Sequence, residues 1–238
     1  ITVEDPVEYQ IAGISQVQVN AKVGLTFAAA LRSILRQDPD IIMIGETRDF
    51  ETAQIAIQAS LTGHLVLSTL HTNSAPGSIT RLTDMGIEPF LIASTVSCVI
   101  AQRLVRKLCD KCKEQYKPAE DLIKSLGITQ AEADAITFYK PVGCPDCGST
   151  GYKGRIAIFE VMGMTPEVAA LTMDRADTQL IQEAAEKQGM TLLIQDGIEK
   201  IKEGLTSIDE VLSVAAADNA MTESDNPITD SDDESEKK

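Results

Sequence analysis

The chain has 238 residues, 43% of them hydrophobic, enough for one or two domains with a real core. A formal charge of −15, an aromatic content of 4% and the absence of Trp argue against a nucleic-acid surface, which needs a basic face and stacking platforms. No apolar stretch reaches the length of a membrane span.

In chain order, Ile1–Val3 predicts the end of a strand, stopped by Glu4-Asp5-Pro6, so two acids stand at a strand's C-terminal end. Ser15–Asn20 alternates as a half-exposed strand, broken by Gly24. Thr26 is placed to cap a helix carrying Phe27, Leu31, Ile34 and Leu35 at helical spacing. Ile41–Ile44, bounded by Pro39 and Gly45, predicts a strand buried on both faces, with Glu46 leaving it at the C-terminal end. Asp49 caps the next predicted helix, Phe50–Ser60, closed by Gly63, and Leu65–Leu70 predicts a second buried strand. Strand, helix and strand at this length make a βαβ unit, hence a parallel sheet. Ser74 and Pro76 open a further helix that runs to Gly86.

Ile92–Lys107 is expected as a helix with Ile92, Val96, Val99, Ile100 and Leu104 on one side and a basic last turn. Cys98 reads as a small buried side chain on it. Cys109-Asp-Lys-Cys112 and Cys144-Pro-Asp-Cys147-Gly then form two C-x₂-C knuckles, each able to present two thiolates to one tetrahedral ion. Four thiolates leave no position open for substrate, so this Zn²⁺ is expected to be structural. Disulfides and a redox pair are the other readings; an intracellular chain disfavours the first and the presence of two pairs the second. Between the knuckles, Pro118–Leu126 and Thr129–Ala135 predict short helices and Phe138–Lys140 a short strand. After them comes a strand in which Arg155 and Glu160 read as surface or pairing residues. Helices are expected over Pro166–Met173, Asp177–Lys187, Thr191–Glu203 and Ser207–Ala215, although Asp196-Gly197 inside one of them has no local reason. Met221–Lys238 holds seven acids and two lysines, a net −5, and is expected to be a disordered tail.

Glu4, Asp5, Glu46 and His71 thus fall at C-terminal strand ends, where ligands of parallel sheets bind, with Thr69 and Thr72 near the last of them. Two carboxylates, a His and hydroxyls on one rim suit a nucleotide's terminal phosphate and its Mg²⁺. ITVEDPVEYQ resembles the Asp box, DPDIIMIGETRD the Walker B and TGHLVLSTLHTNSA the His box of the bacterial secretion ATPases that power type II secretion and type IV pilus assembly. The resemblance implies a partial RecA-like P-loop NTPase core of α/β class, with a parallel sheet. It also implies a homohexameric ring, and ATP hydrolysis coupled to an inner-membrane platform protein. Glu4 would orient or activate the attacking water and Glu46 bear on Mg²⁺ through its water shell, roles the two can exchange. His71 would sense the γ-phosphate, with His64 as a second. Asp5, Arg48 and Thr69 would join the nucleotide site, though a salt bridge at the rim accounts for Arg48 equally well. The tetracysteine module points away from the pilus-retraction members.

The chain contains no G-x-x-x-x-G-K-[ST] loop, which the family carries just upstream of the Asp box. With no initiator Met and an opening in mid-strand, the chain reads as a fragment of a longer protein and is not expected to turn over ATP well alone. The expected organisation is an ATPase core over 1–107, a zinc module over 108–160, a small helical subdomain over 161–218 and the tail over 219–238. The expected location is cytoplasmic, at the inner face of the membrane through partners. A zinc-stabilised ring scaffold without hydrolysis is the alternative, and a nucleic-acid-binding zinc protein a third reading disfavoured by the acidity.

Overall fold

The computed structural model describes residues 1–214, so the acidic run expected as a tail lies outside the described residues. The chain divides into two compact units, Ile1–Gln102 with Phe159–Leu192, and Arg103–Ile158 with the described residues from Leu193 on.

The first unit is built on four parallel strands, β1 (Thr2–Glu4), β2 (Gln16–Gln18), β3 (Ile41–Ile44) and β4 (Leu65–Ser68), in the order β2-β1-β3-β4. Helix α1 (Phe27–Ile34) begins where Thr26 accepts a hydrogen bond from the Ala29 amide, and α2 (Phe50–Leu61) where Asp49 accepts one from Thr52 at 2.8 Å. Both fill an orphan donor of the first turn, as the sequence leads one to expect. The two helices pack their apolar stripes on one sheet face, where Val3, Ile42 and Ile44 meet Leu31, Ile34 and Ile55. Full burial of each large side chain there contributes about 1.5–3 kcal/mol.

The opposite face differs from expectation. In a pleated strand alternate residues change faces, so Ile41 and Met43 share a side with their partners Leu65 and Leu67. Ile41, Leu65 and Leu67 are each at least half exposed. β3 is therefore buried on one face, and β4 is largely exposed. The apolar run is the same for a strand covered once or twice, and only the packing of helices decides which.

Helix α3 (Ala75–Asp84) begins at Ser74, which caps Gly77, and is followed by α4 (Pro89–Thr95). The helix expected over Ile92–Lys107 stops here. Val96 is extended, and Cys98–Leu108 forms a long strand, β5. Val96, Val99, Ile100 and Val105 are β-branched, stiff at χ1 and suited to a pleated surface. Their i, i+4 spacing imitates a helical stripe, but Ala101 and Val105 are buried while Ile100 and Leu104 are exposed, the alternation of a strand. Cys98, expected to be buried, is exposed.

β5 pairs with β8 (Tyr152–Gly163) in a two-stranded ribbon, and the division between the units falls within both strands. In the first unit, α7 (Pro166–Met173) packs on α4, and α8 (Thr178–Lys187), capped by Asp177, packs on α3, with the Thr80 and Thr178 hydroxyls 2.8 Å apart.

The second unit holds β6 (Glu114–Gln115) paired antiparallel with β7 (Tyr139–Lys140), and helices α5 (Glu120–Ser125) and α6 (Gln130–Asp134). Thr129 and Glu132 close a capping box on α6. These pieces share a core with α9 (Leu193–Lys202) and the helical stretch 208–214: Ile123, Leu126 and Phe138 pack with Ile198, Ile201, Ile208 and Val211. The helices expected over 161–218 thus divide between the two units. Gly197 now has its reason, because a Cβ there would sit 2.5 Å from Val211 Cγ1. The helix interior gives up propensity so that two helices can touch.

Candidate functional site

Three strand ends of the parallel sheet build the rim. Gly45 lets β1 and β3 approach closely: its N–H donates to Val3 O at 2.7 Å, and a Cβ would lie 3.3 Å from Glu4 Cα. Glu4 and Glu46 therefore leave adjacent strands at the same end. The Glu4 carboxylate accepts hydrogen bonds from Thr2 Oγ1 at 2.5 Å and Gln16 Nε2 at 3.0 Å. These bonds, Thr2 first, hold its pKa below the ordinary 4.5. Glu4 is thus an ionised acceptor at neutral pH.

The Glu46 side chain is only 15% exposed, and its Oε2 accepts from Arg48 Nε at 2.6 Å and from His71 Nε2 at 3.2 Å. His71 itself is 77% exposed, so its ring can meet a ligand while it stays on Glu46. The loops after β3 and β4 are fastened together: Thr47 N–H donates to Thr69 O at 2.9 Å, and the Thr69 hydroxyl donates to Gly45 O at 2.6 Å. The Thr47 and Ser68 hydroxyls lie 2.8 Å apart. Thr69 thus joins the rim through its backbone and hydroxyl, as a brace. Thr47, buried here, was not singled out from sequence, since nothing in Gly-Glu-Thr distinguishes a brace from a turn residue.

A cleft of about 280 Å³ opens beside the rim, lined by Asp5, Glu46, Arg48 and Asp49 and by the first turn of α1. Carboxylates outnumber the single cation in its wall. A phosphate entering such a cleft must bring or meet a divalent cation, and carboxylate oxygens are the donors Mg²⁺ takes. His64 stands apart from this rim. It precedes β4 at the opposite end of the strand, and its Nδ1 lies 2.9 Å from Ala59 O and 3.1 Å from Thr62 Oγ1, a local arrangement closing α2.

In the second unit, Cys109, Cys112, Cys144 and Cys147 converge, their Sγ atoms all within 4.8 Å of one another. The separations 109–144 and 112–147 are 3.9 Å and 144–147 is 3.7 Å, and none of the four is in a disulfide. A tetrahedral ion with bonds of about 2.3 Å requires sulfur separations of about 3.8 Å. Backbone N–H groups of Gly143, Cys144 and Gly151 point at the sulfurs, at 3.3 Å to Cys112 and 3.2 Å each to Cys147. Such donors stabilise thiolates rather than thiols. At Cys147 desolvation opposes ionisation, yet the Cys144 and Gly151 amides outweigh it and bring the thiol down to about 6. Burial leaves Cys112 high, at about 11, in spite of the Gly143 amide. Gly143 and Gly151 adopt positive φ and lie against Ser149 and Pro141 so closely that a Cβ would be within 2.7 and 2.4 Å of them. Shape and donor set fit zinc.

Glu160, read from sequence as a surface or pairing residue, is buried at 4% exposure and pairs, accepting a hydrogen bond from the Ala75 N–H at 2.7 Å.

Comparison with known proteins places these features in a family. The family model for type II/IV secretion system proteins matches residues 1–213. The type IV pilus assembly ATPase PilB of Thermus thermophilus is 52% identical over 213 residues, covering 89% of this chain and 24% of that protein. The putative type II secretion system protein E of Escherichia coli is 52% identical over 217 residues, covering 91% and 43%. Among solved structures, the pilus retraction motor PilT with bound ADP is 26% identical with a TM-score of 0.63, covering 90% of this chain and 51% of that one. The chain spans less than half the length of the curated relatives it matches. With the parallel sheet, its acidic rim and a family match across nearly all the described residues, the chain belongs to the type II/IV secretion system protein family.

Proposed function

We propose that this chain is part of a motor ATPase that drives type II secretion or type IV pilus assembly, and that its rim handles the terminal phosphate of ATP. The observation that carries this is Glu46, held by His71 and Arg48 at the end of β3, the strand beside that of Glu4, in a chain about half identical to named ATPases of that kind. In this reading Mg-ATP lies against the strand ends. The bound Mg²⁺ supplies charge neutralisation on the phosphate oxygens. Glu4, kept ionised by Thr2 and Gln16, orients the attacking water and can take its proton. Glu46 bears on the cation's water shell and fixes the His71 ring, whose exposed edge senses the γ-phosphate. Asp5 and Arg48 line the approach.

The cysteine centre holds a structural Zn²⁺ in this account, with four thiolates and no open position. Identity near 50% to assembly and secretion ATPases, against 26% to the retraction motor, supports extension or secretion over retraction. The protein works as a homohexamer at the cytoplasmic side of the inner membrane, on a membrane platform protein and without nucleic acid. No helix among the described residues is long and apolar enough to cross a membrane.

The test is ATP turnover by the chain lengthened upstream through a G-x-x-x-x-G-K-[ST] loop, measured beside this chain, with zinc quantified in both. Turnover in the longer protein alone, lowered at least about 100-fold by Glu4→Gln or Glu46→Gln, is the expected result. No turnover in the longer protein would favour a zinc-stabilised ring scaffold.

A further inference from the structure

The start of α3 needs a partner that its own sequence does not supply. The first N–H groups of a helix have no intrahelical acceptor. Of those in α3, Gly77 is capped by Ser74 Oγ at 3.1 Å, and Pro76 has no N–H. Ala75, fully buried, donates instead to Glu160 Oε1, from a strand 85 residues further on in the same unit. A carboxylate buried in this way is costly unless a donor or a positive end receives it, and the N-terminus of a ten-residue helix offers both. The residues just before α3 are those of the rim loop. Thr72, next to His71, has its hydroxyl 2.7 Å from Ser78 Oγ and 3.3 Å from Ser74 O, tying the loop to the first turn of the helix. Where α3 begins therefore decides where His71 stands.

We propose that Glu160 is a positioning residue for the His71 loop: it clamps the first amide of α3 and thereby sets the register in which His71 reaches Glu46 and the phosphate. This rests on the reading of His71 as the phosphate sensor. Glu160 itself touches no substrate. Without its carboxylate the buried Ala75 N–H loses this acceptor, and the loop between β4 and α3 gains alternative positions.

The test has two arms. Hydrogen–deuterium exchange on this chain compares wild type, Glu160→Ala and Glu160→Gln. Glu160→Ala is expected to speed exchange about 10-fold or more across residues 72–77 while α7 stays protected. Glu160→Gln, which keeps a carbonyl acceptor of the same reach, is expected to restore protection. Unchanged exchange at 72–77 in Glu160→Ala, or equal loosening of α7, overturns the proposal. In the second arm, the longer ATPase bearing Glu160→Ala is expected to lose about 10-fold in kcat with KM within about twofold, and to lose nothing further when His71→Ala is also present. Full additivity of the two changes overturns the proposal. A wild-type protein without turnover overturns the ATPase reading instead, while the exchange arm still decides whether the clamp exists.

Discussion

Gly45→Ala should disturb the rim directly, because a Cβ at Gly45 would press on the backbone of β1. The added Cβ would stand 3.2 Å from Val3 O and 3.3 Å from Glu4 Cα, against an ordinary carbon contact of about 3.5–4.0 Å. Relief requires a shift of a few tenths of an ångström, and both neighbours are backbone. β1 cannot yield freely: Val3 O accepts from Gly45 N at 2.7 Å, Ile1 O from Met43 N at 2.9 Å, and Glu4 O from Val19 N at 2.9 Å. Overpacking of this kind costs about 1–3 kcal/mol, and the smaller entropy of the unfolded chain returns about 0.4–1 kcal/mol. The net expectation is a destabilisation of about 1–2 kcal/mol, or about 2–8 °C in Tm for a chain of this size. Urea and thermal unfolding followed by circular dichroism measure it. Gly163→Ala, where an added Cβ meets nothing within 4 Å, is the control and should stay within about 0.5 kcal/mol. In the longer protein Gly45→Ala should also lower turnover, since it separates Glu4 from Glu46. A Gly45→Ala chain as stable as wild type, or more stable, would refute the reasoning that close approach at this glycine sets the rim.

Gly197→Ala gains helix propensity of about 1 kcal/mol, but its Cβ would lie 2.5 Å from Val211 Cγ1, so a net loss of about 1–2 kcal/mol is expected in urea unfolding, recovered in part by adding Val211→Ala. Zinc measured by a colorimetric chelator should come to about one ion per chain and fall below half in Cys147→Ser, which removes the sulfur that the Cys144 and Gly151 amides address; equal retention of metal by the variant would remove the case for a four-thiolate site. The Arg106 guanidinium, hydrogen-bonded at 2.5 Å, holds the Glu210 carboxyl below its ordinary 4.5 against desolvation, with the Arg106 amide assisting. A carboxyl depressed in the folded state adds stability that is present above the unfolded value and lost as pH falls through the folded one, so stability should decline below about pH 4.5. Glu210→Gln should flatten that decline, and an identical acid profile in the variant would count against the pair.

Much of the site was legible in sequence because its signals are local. Asp49 and Ser74 cap helices through their own first turns, and Gly45-Glu46 follows a strand whose apolar run is short and bounded. Each C-x₂-C pair needs only its own spacing to present two sulfurs to one side. Each cap, strand end and single knuckle depends on residues within a few positions of each other, and the backbone rules that govern them act at that range, while bringing the two knuckles, 35 residues apart, together is decided by the fold. What sequence misjudged depends on pairing across the chain. Cys98–Leu108 carries a spacing that serves helix or strand, and its pairing with β8 settles the choice in favour of the β-branched residues. Ile41, Leu65 and Leu67 read as buried although, among the described residues, they are half exposed while α1 and α2 pack on the other face of their sheet. His71 already follows the Leu65–Leu70 strand in sequence, whereas His64, a second sensor only through the family resemblance, has its Nδ1 2.9 Å from Ala59 O at the end of α2. Glu160 reads in sequence as a surface or pairing residue with no partner in view, because the amide that receives it lies 85 residues earlier and only the tertiary fold brings a buried helix start to that carboxylate. Local propensity thus determined where elements begin and which chemistry they carry, while long-range pairing and burial decided which faces are covered and which charges stand inside.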